Sequence, residues 1–303
     1  MTPPKSHVVA SGLAGAIGLA LIMSAGSAQA GLFKRRVAPP PAAATSADVG
    51  IKEIQRALDE SRLLDAGRML DEARLAGVKD PRLNLVSGQL SLKRERYDVA
   101  LEAFKAAEAT PTLRAAALEG EGISLSMLQR SDEALAVLQE AVATDSSAWR
   151  TWNALGGEWD KRREWTRAEE AYGHALKLSH DAAPALNNRG YSRLLQGRLD
   201  DAVVDLVAAL RKDPALAPAR TNLRLAMAMR GEYDQAMAGA GSDNPSAALN
   251  NAGFAAMMRG EYDRAIDLFQ KSMESKGEFY ARASANLQVA RSLKAQGLKT
   301  PTQ

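Results

Sequence analysis

The segments MRGEYDQAM (Met229–Met237) and MRGEYDRAI (Met258–Ile266) are nearly identical and begin 29 positions apart. Stepping back from Ala236 in intervals of 34 residues reaches an alanine every time: Ala202, Ala168, Ala134, Ala100 and Ala66. A forward step of 29 residues reaches Ala265. Self-similarity at a fixed period is the mark of a repeat architecture, so the chain reads as an array of one repeated unit.

Two further positions of the unit recur in the same register. Twelve residues before the alanine lies a glycine in five units: Gly88, Gly122, Gly156, Gly190 and Gly253. Four residues after it lies a large apolar side chain: Leu70, Phe104, Leu138, Tyr172, Leu206 or Phe269. We interpret each unit as two antiparallel helices, with the glycine and the alanine where they cross. The large residue would fill the space against the next unit.

This pattern resembles the tetratricopeptide repeat, and WNALGGEW from Trp152 resembles the signature of its first helix. The resemblance implies an all-α fold, a right-handed α-solenoid of stacked helix-turn-helix repeats. The composition agrees, because aromatic residues make up only 5% of the chain and alanine and leucine, both strong helix formers, are abundant. We place the array at 47–296, as units at 47–80, 81–114, 115–148, 149–182, 183–216, 217–245 and 246–279 with a capping helix at 280–296.

The spacing of 29 marks an irregular sixth unit. Its second helix begins near Tyr233 and runs into AGAGSDNP, where Gly239, Gly241 and Pro245 disfavour helix. Five residues are missing before the next unit resumes at Ser246. We therefore expect a shortened second helix in this unit.

The first 46 residues differ from the array. Val8–Met23 is an apolar run behind Lys5, and Ala28-Gln29-Ala30 fits a signal-peptidase site. We predict a signal peptide at 1–30, with an uncleaved N-terminal anchor as the alternative, and a Pro/Ala-rich flexible tether at 31–46. Residues 297–303 are predicted to be a disordered tail.

The chain offers little for catalysis. It has no cysteine, and its only histidines are His7, His174 and His180, for which we expect surface or packing roles. The carboxylates, such as Glu169 and Glu170, read as solvated charges on helix faces. We therefore predict no enzyme activity, no metal site, no cofactor and no small-molecule substrate.

Net charge also argues against binding to nucleic acid. The formal charge is +3, but four cations precede Asp48, so the remainder carries −1. A nucleic-acid-binding domain would normally present a basic face.

The candidate binding residues lie on the first helices, which line the concave face in this type of repeat. Asparagines recur at the fifth and sixth positions of the units and could grip a peptide backbone, since each amide both donates and accepts hydrogen bonds. Asn187 and Asn250 could instead cap or pack locally. An apolar strip at the ninth and thirteenth positions would suit an extended segment or an amphipathic helix, or could pack only between helices. The predicted partner-binding residues are Asn153, Asn187, Asn188, Tyr191, Leu195, Asn222, Leu225, Met229, Asn250, Asn251, Phe254 and Met258.

From Trp152 to Leu287 the chain resembles the TadD family of tight-adherence (Flp) pilus assembly proteins. The segments that carry the resemblance are ALNNRGYSRLLQGRLDDAV, ARTNLRLAMAMRGEYDQAM, NNAGFAAMMRGEYDRAI and FYARASANL. It implies a periplasmic role in assembling the secretin channel of a pilus. Members of that family usually carry a lipid-anchored cysteine after the signal peptide, and here that place is Gly31. We therefore expect a periplasmic protein that is not a lipoprotein, with at most peripheral association with the envelope.

Two functions remain open at this stage. The first is a scaffold of the bacterial cell envelope that binds a protein or peptide partner, such as a pilus secretin or another pilus assembly component. The second is a periplasmic adaptor that presents substrates to, or regulates, an envelope protease or wall hydrolase.

Overall fold

The structure is a computed structural model that describes residues 47–179, 182–238, 245–275 and 280–297. The predicted signal peptide, the tether, His180 and the tail from residue 298 onward lie outside the described residues. The described part contains helices and no strand, so the predicted all-α solenoid of helical hairpins is confirmed. Its helices are α1 Ala47–Asp59, α2 Leu63–Leu75, α3 Arg82–Lys93, α4 Tyr97–Glu108, α5 Arg114–Met127, α6 Ser131–Thr144, α7 Trp149–Lys161, α8 Trp165–Leu178, α9 Ala183–Leu195, α10 Leu199–Lys212, α11 Ala217–Met229, α12 Tyr233–Met237, α13 Pro245–Met258, α14 Tyr262–Glu274 and α15 Tyr280–Ala295.

Each hairpin turns at a residue in the left-handed backbone region. In the last three complete units this residue is Gly197, Gly231 or Gly260, with φ between 75° and 86°. The glycines have no Cβ to clash there, and they explain the recurring R-G and Q-G pairs of the sequence. In the first four units the same place is taken by non-glycine residues: Ser61, Glu95, Gln129 and Arg163.

The glycine of each first helix lies against the large residue of its own second helix. A Cβ added to Gly156 would lie 2.6 Å from the Tyr172 ring, and one added to Gly253 would lie 2.7 Å from Phe269. The sequence interpretation paired the glycine with the conserved-register alanine, and this was wrong: the alanine is buried elsewhere in the crossing, and the ring needs the space. The predicted contact with the next unit is present for Phe104, whose ring also faces Gly120 of the following first helix.

First helices of successive units pack side by side, whereas the described second helices make no comparable contact with one another. A stack whose elements are closer on one side must curve toward that side. The first helices therefore form the inner, concave layer and the second helices form the outer layer, as the sequence led us to expect.

The shortened helix of the sixth unit is confirmed, since α12 spans only Tyr233–Met237. Because α12 is so short, α13 packs directly on α11, more extensively than any other pair of successive first helices does. A single apolar cluster joins Ala228 of α11, Ala236 of α12 and Ala252 of α13. The irregular unit therefore remains packed, with an altered geometry at this point of the array.

The glycine contact gives a matched test within one unit. Gly156→Ala should lower the free energy of unfolding by about 1–3 kcal/mol, because the fully buried Tyr172 ring has no room to retreat from a new methyl group. Gly173→Ala, on α8 of the same unit, meets nothing within 4 Å and should raise stability by up to about 1 kcal/mol. Urea denaturation of both variants measures the two effects, and equal responses would contradict this account of the contact.

Candidate functional site

The predicted binding residues all lie on first helices of the inner layer. Asn153 is on α7, and the others belong to three successive first helices. On α9 they are Asn187, Asn188, Tyr191 and Leu195; on α11 Asn222, Leu225 and Met229; on α13 Asn250, Asn251, Phe254 and Met258.

The asparagines of α7, α9 and α11 bond to one another. Asn188 Nδ2 donates to Asn153 Oδ1 over 3.0 Å, and Asn187 Nδ2 donates to Asn188 Oδ1 over 3.1 Å. Asn222 Nδ2 then donates to Asn187 Oδ1 over 3.0 Å. These amides therefore form a continuous chain of hydrogen bonds that ties three units together.

A second, shorter amide chain lies on α13 and α15. Asn286 Nδ2 donates to Asn250 Oδ1 over 3.0 Å, and Asn250 Nδ2 lies 3.5 Å from Asn251 Oδ1. The sequence interpretation missed Asn286, although its spacing of 36 residues from Asn250 resembles the spacings of 35 residues that separate the bonded amides of the first chain.

Burial separates these amides into two groups. Asn187 and Asn250 are buried, which favours the alternative that they pack locally between helices. The other asparagines are half-buried. An amide has two N–H groups and two acceptor sites, so one bond to a neighbour leaves capacity for a partner at the half-buried positions. Their role in gripping a partner remains a prediction.

The apolar strip is also partly structural. Leu225 and Met229 contact two apolar clusters, one shared by α9, α10 and α11 and the other by α11 to α15. Tyr191, Leu195 and Phe254 are half-buried, whereas Met258 is 46% exposed. The strip is thus part of the interior toward α9 and becomes an exposed surface toward α13.

Val289 of α15 extends the exposed end of the strip and was missed from the sequence. It follows Phe254 by 35 residues, the spacing of two of the amide bonds between units, and it is 43% exposed. The signal was present in this spacing, but the capping helix lacks the alanine and glycine that set the register of the other units.

Several carboxylates that the sequence interpretation placed in solvent are instead buried or paired. Glu158 is fully buried and accepts hydrogen bonds from Ser131 Oγ (2.6 Å), Lys161 Nζ (2.5 Å) and Ser126. Glu169 is half-buried and bonds to Arg193. These contacts cross between units, which a single helix pattern does not reveal.

None of these polar clusters offers an evident catalytic arrangement. Ser126 and Lys161 lie 2.8 Å apart, but Ser126 is buried and its hydroxyl donates to Glu158, so the oxygen is not presented to a substrate. His174 stacks on the Trp152 ring at 4.4 Å, in agreement with the expected packing role. Among the described residues, no group of three or more His, Asp and Glu side chains could hold a metal ion.

Asp160 forms a buried joint between the fourth and fifth units. It accepts hydrogen bonds from Tyr172 Oη (2.7 Å) and Ser192 Oγ (2.6 Å). Burial raises the pKa of its carboxyl to about 6, because the two hydroxyl donors only partly offset the loss of solvent, and Glu169 nearby adds to the rise.

No helix in the described ranges combines the length and the apolarity that crossing a membrane would require.

Comparisons with known proteins identify the repeat. The tetratricopeptide repeat family matches residues 51–114, 85–148 and 159–218, together just over half of the chain. Protein FlbA of Caulobacter vibrioides is 30% identical over 132 residues, which cover 40% of this chain and 22% of FlbA. The chain thus spans about a fifth of the length of this curated relative.

Two solved structures share the fold. The APC/C hetero-tetramer Cut9–Hcn1 matches with a TM-score of 0.66 at 16% identity, over 81% of this chain and 49% of that chain. A tetratricopeptide repeat protein from Parabacteroides merdae matches with a TM-score of 0.55 at 16% identity, over 80% of this chain and 98% of that one. At this identity the likeness concerns the fold alone.

The Asp160 carboxyl predicts a pH-dependent stability. Its pKa is about 6 when folded and about 3.9 when unfolded, so the folded state loses its proton-linked advantage as the pH rises between these values. Asp160→Asn has no such titration. Its free energy of unfolding should therefore gain on the wild type by up to about 3 kcal/mol between pH 4 and pH 7.

Glu170→Gln, an exposed carboxylate on α8, serves as the control for this titration. Urea denaturation at several pH values should show the wild-type pH dependence in the control. A constant difference between Asp160→Asn and the wild type would contradict the assignment.

The amide chain predicts an energetic coupling between neighbouring units. In a double-mutant cycle, Asn187→Ala and Asn222→Ala should couple by about 1 kcal/mol, the net worth of one buried hydrogen bond. Asn222→Ala combined with Asn286→Ala, which belongs to the other chain, should be additive to within about 0.5 kcal/mol. Thermal or urea denaturation measures both cycles, and additivity in the first would show that the amides do not bond in solution.

Proposed function

Because the chain belongs to the tetratricopeptide repeat family, we propose that it is a non-catalytic scaffold that binds segments of other proteins along its inner face. The observation that carries the proposal is the alignment of half-buried amides beside an apolar strip on successive first helices. A strip that becomes exposed at Met258 and Val289 offers apolar contact area, and the amides fix orientation. Rigid helices hold both sets of side chains in place.

We place this scaffold in the bacterial cell envelope, where it assists assembly of a tight-adherence pilus or of its secretin. Support comes from the signal-peptide pattern before residue 31 and from the TadD-like segments between Trp152 and Leu287. The relative from Caulobacter vibrioides is bacterial, but the chain spans too little of it to transfer a role. The partner would be a protein or peptide segment, possessing no need for a cofactor.

A pull-down from envelope extract tests this proposal, with the full chain carrying a C-terminal tag as bait. A secretin or another pilus component should be recovered by the wild type and lost with Asn188→Ala/Asn222→Ala/Asn251→Ala. The matched control is Gln139→Ala/Glu170→Ala/Gln270→Ala, which removes three exposed side chains from second helices. Circular dichroism melts of both variants separate lost binding from lost folding.

Deletion of the gene provides the second arm of the test. Surface pili and secretin multimers should disappear and return when the wild-type gene is restored. Normal pili in the deletion strain would refute the pilus role, and recovery of a protease or wall hydrolase would favour the adaptor function instead.

A further inference from the structure

The charges of the inner layer differ between the two halves of the array. Helices α1, α3, α5 and α7 together carry seven cations and seven carboxylates. Helices α9, α11, α13 and α15 also carry seven cations but no carboxylate. The seven cations are Arg189, Arg193, Arg220, Arg224, Arg282, Arg291 and Lys294.

Pairing with the outer layer reduces this excess most strongly at α9. Arg189 and Arg193 both bond to the buried Asp205 of α10, at 2.7–2.8 Å, and Arg193 also bonds to Glu169. The helices α11, α13 and α15 still contribute no carboxylate of their own. A negatively charged segment lying on these helices would meet no like charge from them, whereas a positively charged segment would meet only like charges.

The exposed apolar side chains of the inner layer lie at the same end of the array. Six large apolar side chains are exposed among the described residues, and four of them belong to the second helices α2, α8 and α10. The other two are Met258 of α13 and Val289 of α15. Phe254, one turn before Met258, is half-buried beside them in sequence register. Apolar exposure and one-sided charge therefore coincide.

The state of the amides favours a helical occupant. An extended peptide needs partners for its own N–H and C=O groups, but Asn250 and Asn286 on this part of the face bond to each other. A helix satisfies its backbone internally and needs only an apolar contact stripe and charged flanks. The concave curvature also disfavours a flat lipid surface as the occupant.

We propose that the inner face over α11, α13 and α15 docks an acidic amphipathic helix, whose apolar stripe packs on Met258 and Val289. This inference rests on the proposed binding function and names the class of partner segment for that site. Met258 contributes a flexible side chain that adapts to different apolar residues of the partner.

Fluorescence anisotropy with two synthetic peptides tests the inference on the full chain. Both peptides have the same leucine stripe at helical spacing, and their polar positions are all glutamate in one and all lysine in the other. The glutamate peptide should bind at least tenfold more tightly at low salt, and the difference should shrink in 0.5 M salt because exposed charges are screened. Equal affinity of the two peptides would overturn the inference.

Substitutions then locate the contact. Met258→Asp and Val289→Asp should each weaken binding of the glutamate peptide at least tenfold, whereas Val204→Asp, on exposed α10 of the outer layer, should leave it unchanged. Arg291→Glu should weaken binding, and Arg211→Glu on α10 should not. Equal effects of the inner-layer and outer-layer variants would refute the location. Melting curves identify any variant that unfolds, and Met258→Gln then replaces Met258→Asp as an uncharged test.

The outcomes separate this inference from the proposed function. If the lysine peptide binds and is displaced by Met258→Asp, the inner face still binds segments and only the acidic class is wrong. If neither peptide binds but a pilus component is recovered from envelope extract, the inference fails and the scaffold function stands. Binding of the chain to phosphatidylglycerol vesicles with the same sensitivity to Val289→Asp would also overturn the inference, in favour of a lipid surface.

Discussion

The contact between a glycine of each first helix and one large side chain of its second helix sets the geometry of the array. The ring or isobutyl group of the second helix enters the space that a side chain on the first helix would occupy, so the two helices approach closely. Phe104 also faces Gly120 of the next unit, so one side chain can fix both the hairpin and its neighbour. Apolar burial then accumulates unit by unit, and no single hairpin buries its apolar face alone.

The sequence predicted the fold because this contact demands particular residues at a fixed spacing. Small residues must stand at crossings, and their recurrence every 34 residues located the helices and the shortened α12. The partner of the glycine was less predictable. A pattern of spacings shows which residues recur but not which of two nearby side chains, alanine or ring, enters the gap.

The candidate site was predictable only in part, for a related reason. The helix that carries each asparagine followed from the pattern, but the bond between Asn222 and Asn187 depends on the distance between two units. The same holds for the buried Asp160, whose Ser192 partner belongs to the next unit. Asn286 and Val289 were missed because α15 has no second helix, so the residues that mark the register of a hairpin are absent from it.

The short α12 divides the inner face into two lengths that differ in composition. One amide chain ends at Asn222 of α11, and the other begins at Asn251 of α13. A partner carrying two short motifs on one flexible chain would therefore bind as a bivalent ligand. The first motif to dock would raise the effective concentration of the second, so that two weak contacts together give a long-lived complex, provided the linker spans the junction. The missing five residues thus set the linker length that such a partner needs.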